Sequence, residues 1–375
     1  LMEGVDEHSR PTIAVTPDGI LHIVMGGHNT PYQYRRSVSA NDSSDWEPTV
    51  TFGAGTYPVL LAGPDGRLLL SGRSASHNGM DLWERPPGGL WGLRSSLVKR
   101  DERFTNYSAF HNGLTWGPDR KALHLSTGLF LTFPPKPDDE MRDAAGRYQG
   151  IGYLHSPDGG VSWEKSDGTR IAMPATPRTI ELLAEGQGDK PKPGLVHGGV
   201  AVDSSGRPYV AYTRHNPGPG TAHLLRLDAS HRWEPLPLSE AVSAAWPKHG
   251  LSLVRLAVTQ DDLICVLGVL VPLEHPDANW NPGIWGLPDF WLRAHPELHR
   301  VVWLESSDAG RSFQAREIAP EPQAGKGQHM PTLERPESAN QYPAGQRPGV
   351  VYFEGDSDYP LDGVTLDNKV YFVQP

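Results

Sequence analysis

The chain has 375 residues and a formal net charge of −10, which argues against a general nucleic-acid binder. Its 11 tryptophans and 12 tyrosines are too many aromatics for a disordered chain, and its 41 glycines and 36 prolines suit many tight turns between short strands. No run of 18 apolar residues predicts a membrane span, and a single cysteine, Cys265, excludes an intrachain disulfide.

Along the chain one unit recurs: an alternating apolar strand, a turn with Asp or Gly, and a second apolar strand. It runs from Pro11 to Val24 around Asp18-Gly19, then from Pro58 to Leu70 around Asp65-Gly66. Further copies run from Ala109 to Leu125, Gly198 to Tyr212, Leu251 to Leu267 and, more loosely, Met330 to Phe353. Asp-Gly between alternating apolar strands is a strong hairpin signal. Six hairpins at long spacing predict one hairpin per blade of an all-β propeller with four-stranded antiparallel blades. The expected organisation is one domain over residues 1–375.

Two segments between hairpins resemble Asp boxes: Ser156-Pro-Asp158-Gly-Gly160-Val-Ser162-Trp163 and Ser306-Ser-Asp308-Ala-Gly310-Arg-Ser312-Phe313. In such a box Asp and Ser bond the turn backbone and the aromatic packs between sheets, so it marks a fold and not an activity. The only helical pattern is short, Arg178 to Ala184. Irregular stretches at Pro134 to Tyr148, Met173 to Leu195 and His275 to His299 read as excursions over one face, where substrate is usually gripped. The last contains Trp280 and Trp285, a sugar-stacking platform or a locally packed aromatic cluster.

In a blade, the start of the first strand and the end of the second lie on the same face. At the six starts stand His8, Tyr57, Tyr107, His197, His249 and His329. After the second strands come His28, Arg73, Thr127 and the pair Arg214-His215. Converged, these groups form a pocket of imidazole, phenol and guanidinium with few carboxylates. Glycosidases need two flanking carboxylates. A His, Tyr and Arg pocket suits β-elimination on a uronic acid instead: Arg neutralises the carboxylate, one group takes the C5 proton, and another protonates the leaving oxygen.

At this point the sequence resembles the ulvan-lyase-type polysaccharide lyases, seven-bladed propellers with bacterial-neuraminidase-like repeats. The resemblance rests on Asp6-Glu-His8-Ser-Arg-Pro11, on the run ending Gly27-His28-Asn29, on Tyr34-Arg35-Arg36-Ser37, and on Thr56-Tyr57-Pro58 followed by the run to Arg73. It implies His8 and Tyr57 as acid/base groups, Arg73 as carboxylate neutraliser, His28 as a positioning group and Tyr107 as a substrate contact. It also implies seven blades where six hairpins are plain. His197, Arg214, His215, Trp280 and Trp285 are the further candidate substrate contacts.

No cofactor is required for this chemistry. Some members of the family hold a structural metal, calcium or zinc being the candidates, and Cys265, His275 and His329 are weak candidate ligands whose spacing matches no zinc motif. The expected partner is an acidic polysaccharide, although the net charge asks for a local basic pocket. Export to the periplasm or beyond is inferred from that function. Two rivals stand beside the lyase reading: a sialidase-like hydrolase using Arg10, Arg73 and Arg214 with a Tyr–Glu pair, and a non-catalytic glycan-binding propeller.

Overall fold

The computed structural model describes residues 11–77, 79–102, 107–132, 147–186, 194–215, 220–274, 296–334, 341–355 and 368–375. The chain divides into two compact units, residues 1–184 with 335–340, and residues 185–334 with 341–375. Each is all-β in plan.

The first unit opens with β1 (Thr12–Val15), β2 (Leu21–Met25), β3 (Thr30–Arg36), β4 (Val50–Ala62), β5 (Leu68–Ser74), β6 (Met80–Arg85) and β7 (Gly92–Val98), hydrogen-bonded in sequence order. This run is two four-stranded layers sharing one strand. The first part of β4 pairs with β3, ending at Thr30↔Gly55, and the rest pairs with β5, from Thr56↔Arg73 to Ala62↔Leu68. Register slips on both sides of the changeover, and Tyr57 sits there at φ +57°. A bulge of this kind bends a strand and re-aims a side chain. Gly55 is required at the same corner, because a Cβ would fall on the Tyr32 hydroxyl and the Arg73 carbonyl.

The unit continues with β8 (Tyr107–Trp116), β9 (Leu123–Thr132), β10 (Arg147–Ser156) and β11 (Glu181–Glu185), ordered β11-β10-β9-β8. The expected helix from Arg178 to Ala184 is instead a turn closed by Ile180 N–H onto the Thr176 carbonyl, followed by β11. A strand wins there because β10 offers an edge needing a fourth partner. Leu69, Leu82, Phe110, Leu125 and Leu154 pack the two adjacent layers of this unit together, with Trp163 buried among them.

The second unit contains β12 (Gly194–Val202), β13 (Pro208–His215), β14 (Thr221–Leu227) and β15 (Trp233–Leu236) as one sheet, then the helix α1 (Leu238–Ala245). The sequence pattern did not predict this helix, of which Leu238 and Val242 are the buried residues. Next come β16 (His249–Thr259), β17 (Ile264–Pro272), β18 (Arg300–Ser306) and β19 (Gln314–Glu317), then β20 (Gly327–Leu333), β21 (Gln341–Tyr342), β22 (Val350–Gly355) and β23 (Lys369–Val373). β16–β19 form one antiparallel sheet, with β21 added in parallel on β16, while β20, β22 and β23 form a three-stranded sheet. All six predicted hairpins are present: β1/β2, β4/β5, β8/β9, β12/β13, β16/β17 and β20/β22. A seventh is not seen among the described residues.

The turns hold for the expected reason. Asp158 accepts from the Ser162 backbone at 2.8 Å and the Ser162 hydroxyl at 2.6 Å, while Ser156 Oγ accepts from Gly160 N–H at 2.7 Å. Asp308, Ser312, Ser306 and Gly310 repeat the pattern. A second repeat lies inside the sheets and has no counterpart in the sequence reading. His22 Nδ1 meets the Tyr34 hydroxyl at 2.8 Å, His124 Nδ1 meets that of Tyr153 at 2.6 Å, and His223 stacks on Tyr212 at 4.8 Å. Each is a pair on adjacent strands. Burial lowers His22 to about 4 and His124 to about 3.

Candidate active site

The best-defined cluster belongs to the first unit and grows out of the β4 changeover. Thr56 and Arg73 are paired across β4 and β5. The β2–β3 turn reaches the same point, closed by Gly27 N–H onto Thr30 Oγ at 3.0 Å and carrying Asn29 at φ +59°. Asparagine tolerates that left-handed conformation better than most residues.

A closed set of hydrogen bonds joins the three elements. Thr56 Oγ accepts from Asn29 N–H at 3.0 Å and from an Arg73 terminal nitrogen at 3.0 Å. That same nitrogen donates to Asn29 Oδ1 at 3.1 Å, and the Thr56 hydroxyl donates to Asn29 Oδ1 at 3.3 Å. The other terminal nitrogen of Arg73 donates to the Ser108 carbonyl on β8 at 3.4 Å. Two donors on Asn29 Oδ1 fix the amide, so its NH₂ group turns away from Arg73. Asn29 and its neighbour His28 are both exposed.

Tyr57 stands over this network. The Arg73 guanidinium carbon is 5.3 Å from the Tyr57 ring centroid, and the Tyr57 ring is 4.3 Å from that of His111. Asn112 Nδ2 donates to the Tyr57 carbonyl at 3.3 Å and is itself held by a short contact with Ser71. His111 and Asn112 escaped the sequence reading because β8 already starts at Tyr107, so the position level with Tyr57 lies four residues later. The available signal was a polar His-Asn pair interrupting an otherwise largely apolar strand.

Of the four residues first singled out as catalytic, His28, Tyr57 and Arg73 are therefore brought to one end of the same layers. His8 lies outside the described residues. Arg73 is only 1% exposed. This is less open than expected of a group meant to touch substrate directly. Tyr107 begins β8 one residue before the Ser108 carbonyl that Arg73 binds; its side chain lies outside the described set, as does that of His215. Trp280, Trp285 and His275 lie outside it too.

In the second unit, His197 is buried, and desolvation with a contribution from Arg255 lowers it to about 3. It is a neutral imidazole on β12. Arg214 points both terminal nitrogens at the Glu185 carbonyl at 3.5 Å. His329 is buried and stacked on Phe353, with burial lowering its pKa. Cys265 is fully buried, and desolvation with nearby Glu305 pushes its thiol up to about 12. It packs in a core cluster with Leu267, Trp303 and Tyr352. Among the described residues no three His, Cys, Asp or Glu side chains are grouped to hold an ion.

Comparison with known proteins agrees with this architecture. The profile of a BNR repeat-containing family matches residues 2–241. A PL25 ulvan lyase solved with -[GlcA(1-4)Rha3S]- bound aligns over 100% of this chain and 81% of its own, at 16% identity and a TM-score of 0.68. The polysaccharide lyase Uly1 aligns over 98% of this chain and 77% of its own, at 13% identity and a TM-score of 0.55. At these identities the likeness is one of fold. No curated protein matches the sequence.

Proposed function

The chain belongs to the BNR repeat-containing family, whose profile covers residues 2–241, and from that premise we propose that it is a polysaccharide lyase acting on a uronic-acid-containing polymer by β-elimination. The observation that carries this reading is the composition of the cluster: a phenol between a guanidinium and an imidazole, beside an exposed amide and an exposed histidine. The fold shared with two polysaccharide lyases supports it.

In this mechanism the exposed NH₂ of Asn29 donates to the uronate carboxylate, and the buried Arg73 supplies positive potential and holds that amide in place. Electron density drawn onto the carboxylate makes the C5 proton removable. A base takes the proton, the electron pair forms the C4–C5 double bond, the C4–O bond breaks, and an acid protonates the leaving oxygen. Tyr57 fills one of the two proton-transfer roles. The guanidinium 5.3 Å from its ring stabilises negative charge on the phenol as its proton moves. A histidine fills the other, with His8 and His28 the candidates from the sequence and His111 the one placed against the phenol. Action outside the cytoplasm follows from a polymeric substrate and is part of the same proposal.

The test is an absorbance screen near the ultraviolet edge with ulvan, rhamnogalacturonan, gellan-like and glycosaminoglycan substrates. Unsaturated uronate products raise the absorbance and support elimination. New reducing ends without that rise indicate hydrolysis, and neither signal across the panel indicates a binding protein.

A further inference from the structure

The bulge that carries Tyr57 is a device of the repeat. The first strand of four hairpins slips register once, between Thr56 and Val59, His197 and Gly199, Ser252 and Arg255, and His329 and Thr332. Leu253 and Met330 stand at two of these slips with φ of +48° and +51°, beside +57° at Tyr57. A bulky residue is uncommon in that left-handed region, and it stays there only where its surroundings hold it. In the second unit apolar packing does the holding. Leu253 is buried with Val196, Val269 and Val271, and Met330 packs against the same cluster.

Tyr57 is half-buried, and its ring is given to Arg73 and His111. Its backbone is held by a side chain. Asn112 Nδ2 donates to the Tyr57 carbonyl at 3.3 Å, and Asn112 Oδ1 accepts from the Ser71 hydroxyl. The second bond settles the first, because an amide whose oxygen faces a hydroxyl donor turns its NH₂ the other way. Both anchors of Asn112 are rigid. Ser71 is fully buried and pairs with Val59, just beyond the slip. β8 runs against β9 without a slip, from Tyr107↔Thr132 to Trp116↔Leu123, so Asn112 has one fixed register.

We infer that Asn112 is a positioning residue: through the Tyr57 carbonyl it fixes where the phenol stands between the guanidinium and the imidazole. Its catalytic consequence rests on the lyase reading, to which it adds a residue acting through Tyr57 and not on the substrate. A reacting group displaced by about 1 Å loses about 10²-fold in rate. A bond to the backbone of the acid/base residue is therefore worth more to turnover than to substrate binding.

The test compares Asn112→Asp and Asn112→Ala in the full chain. Asn112→Asp has nearly the same shape and keeps an acceptor for Ser71, but turns an oxygen to the Tyr57 carbonyl. With the polymer that gives ultraviolet product, kcat should fall about ten- to a hundredfold in both variants while KM stays within about twofold. A fall in both, and not in Asn112→Asp alone, sets aside an effect of the added charge. The second readout needs no activity: fluorine NMR of Tyr57→3,5-difluorotyrosine should show one resonance with Asn112 in place and a further one in each variant. One unchanged resonance in both variants overturns the positioning role, as does wild-type kcat in Asn112→Asp. A fall in kcat that only matches a loss of folded protein, read by near-ultraviolet circular dichroism at the assay temperature, overturns it too. A further resonance together with no product from the wild type on any polymer removes the lyase reading and leaves the hold of Asn112 on Tyr57 standing.

Discussion

Arg73 and Asn29 are 44 residues apart, yet a guanidinium nitrogen of the first donates to the amide oxygen of the second at 3.1 Å. That bond, backed by the Thr56 hydroxyl, decides which end of the Asn29 amide faces outward. In the proposed mechanism it lets a buried cation act on a substrate carboxylate at one remove, through its charge and through the side chain it orients.

The proton-transfer role of Tyr57 is tested by Tyr57→Phe. The ring contacts with His111 and Arg73 do not involve the hydroxyl, so the fold should persist while turnover falls to near background. Ultraviolet product formation and thermal unfolding, measured together, check this; full activity in the variant ends the assignment. Arg73→Ala should lower kcat by about 10²-fold, through loss of its charge behind the substrate carboxylate and of the bond that orients Asn29. It should also lower the unfolding midpoint, because Asn29 Oδ1 and Thr56 lose a charged partner.

Asn29 separates backbone from side chain. Its φ of +59° suits Gly as well as Asn. Asn29→Gly therefore keeps the turn and removes the amide. The expected outcome is a fall in kcat of about ten- to a hundredfold, with a modest fall in unfolding midpoint because the buried Arg73 loses one acceptor. Unchanged steady-state kinetics in this variant would remove Asn29 from the mechanism.

Stability should fall on mild acidification. Burial holds His22 near 4 and His124 and His197 near 3 in the folded chain, below the ordinary value of 6.5. The unfolded chain therefore binds these protons first. The stabilisation is complete above pH 6.5 and is lost as pH falls from there towards the folded values. Each histidine contributes about 1.4 kcal/mol per pH unit within that window. Denaturant midpoints at pH 7.5, 6 and 5 should decline steadily, with a shallower slope in His124→Gln. A flat profile over this range would contradict the buried neutral state of these imidazoles.

Much of the fold was legible because hairpin chemistry is local. Asp18-Gly19 and Asp65-Gly66 set their turns within a few residues, and the Ser156 and Ser306 turns satisfy their own backbone. Where an element depends on an edge offered by a distant strand, the sequence misled. The segment from Arg178 to Ala184 looks helical alone but completes a sheet on β10.

The site divides along the same line. The sequence by itself placed His28 just after β2 and Arg73 near the end of β5, since alternation fixes where those strands stop; Tyr57, expected just before a strand, lies within β4, which begins at Val50. Only the tertiary structure decided that β4 serves two layers, that Tyr57 is turned at their junction towards His111, and that Arg73 is buried behind Asn29. Those outcomes depend on register between strands distant in sequence, a property of packing that no short stretch of residues encodes.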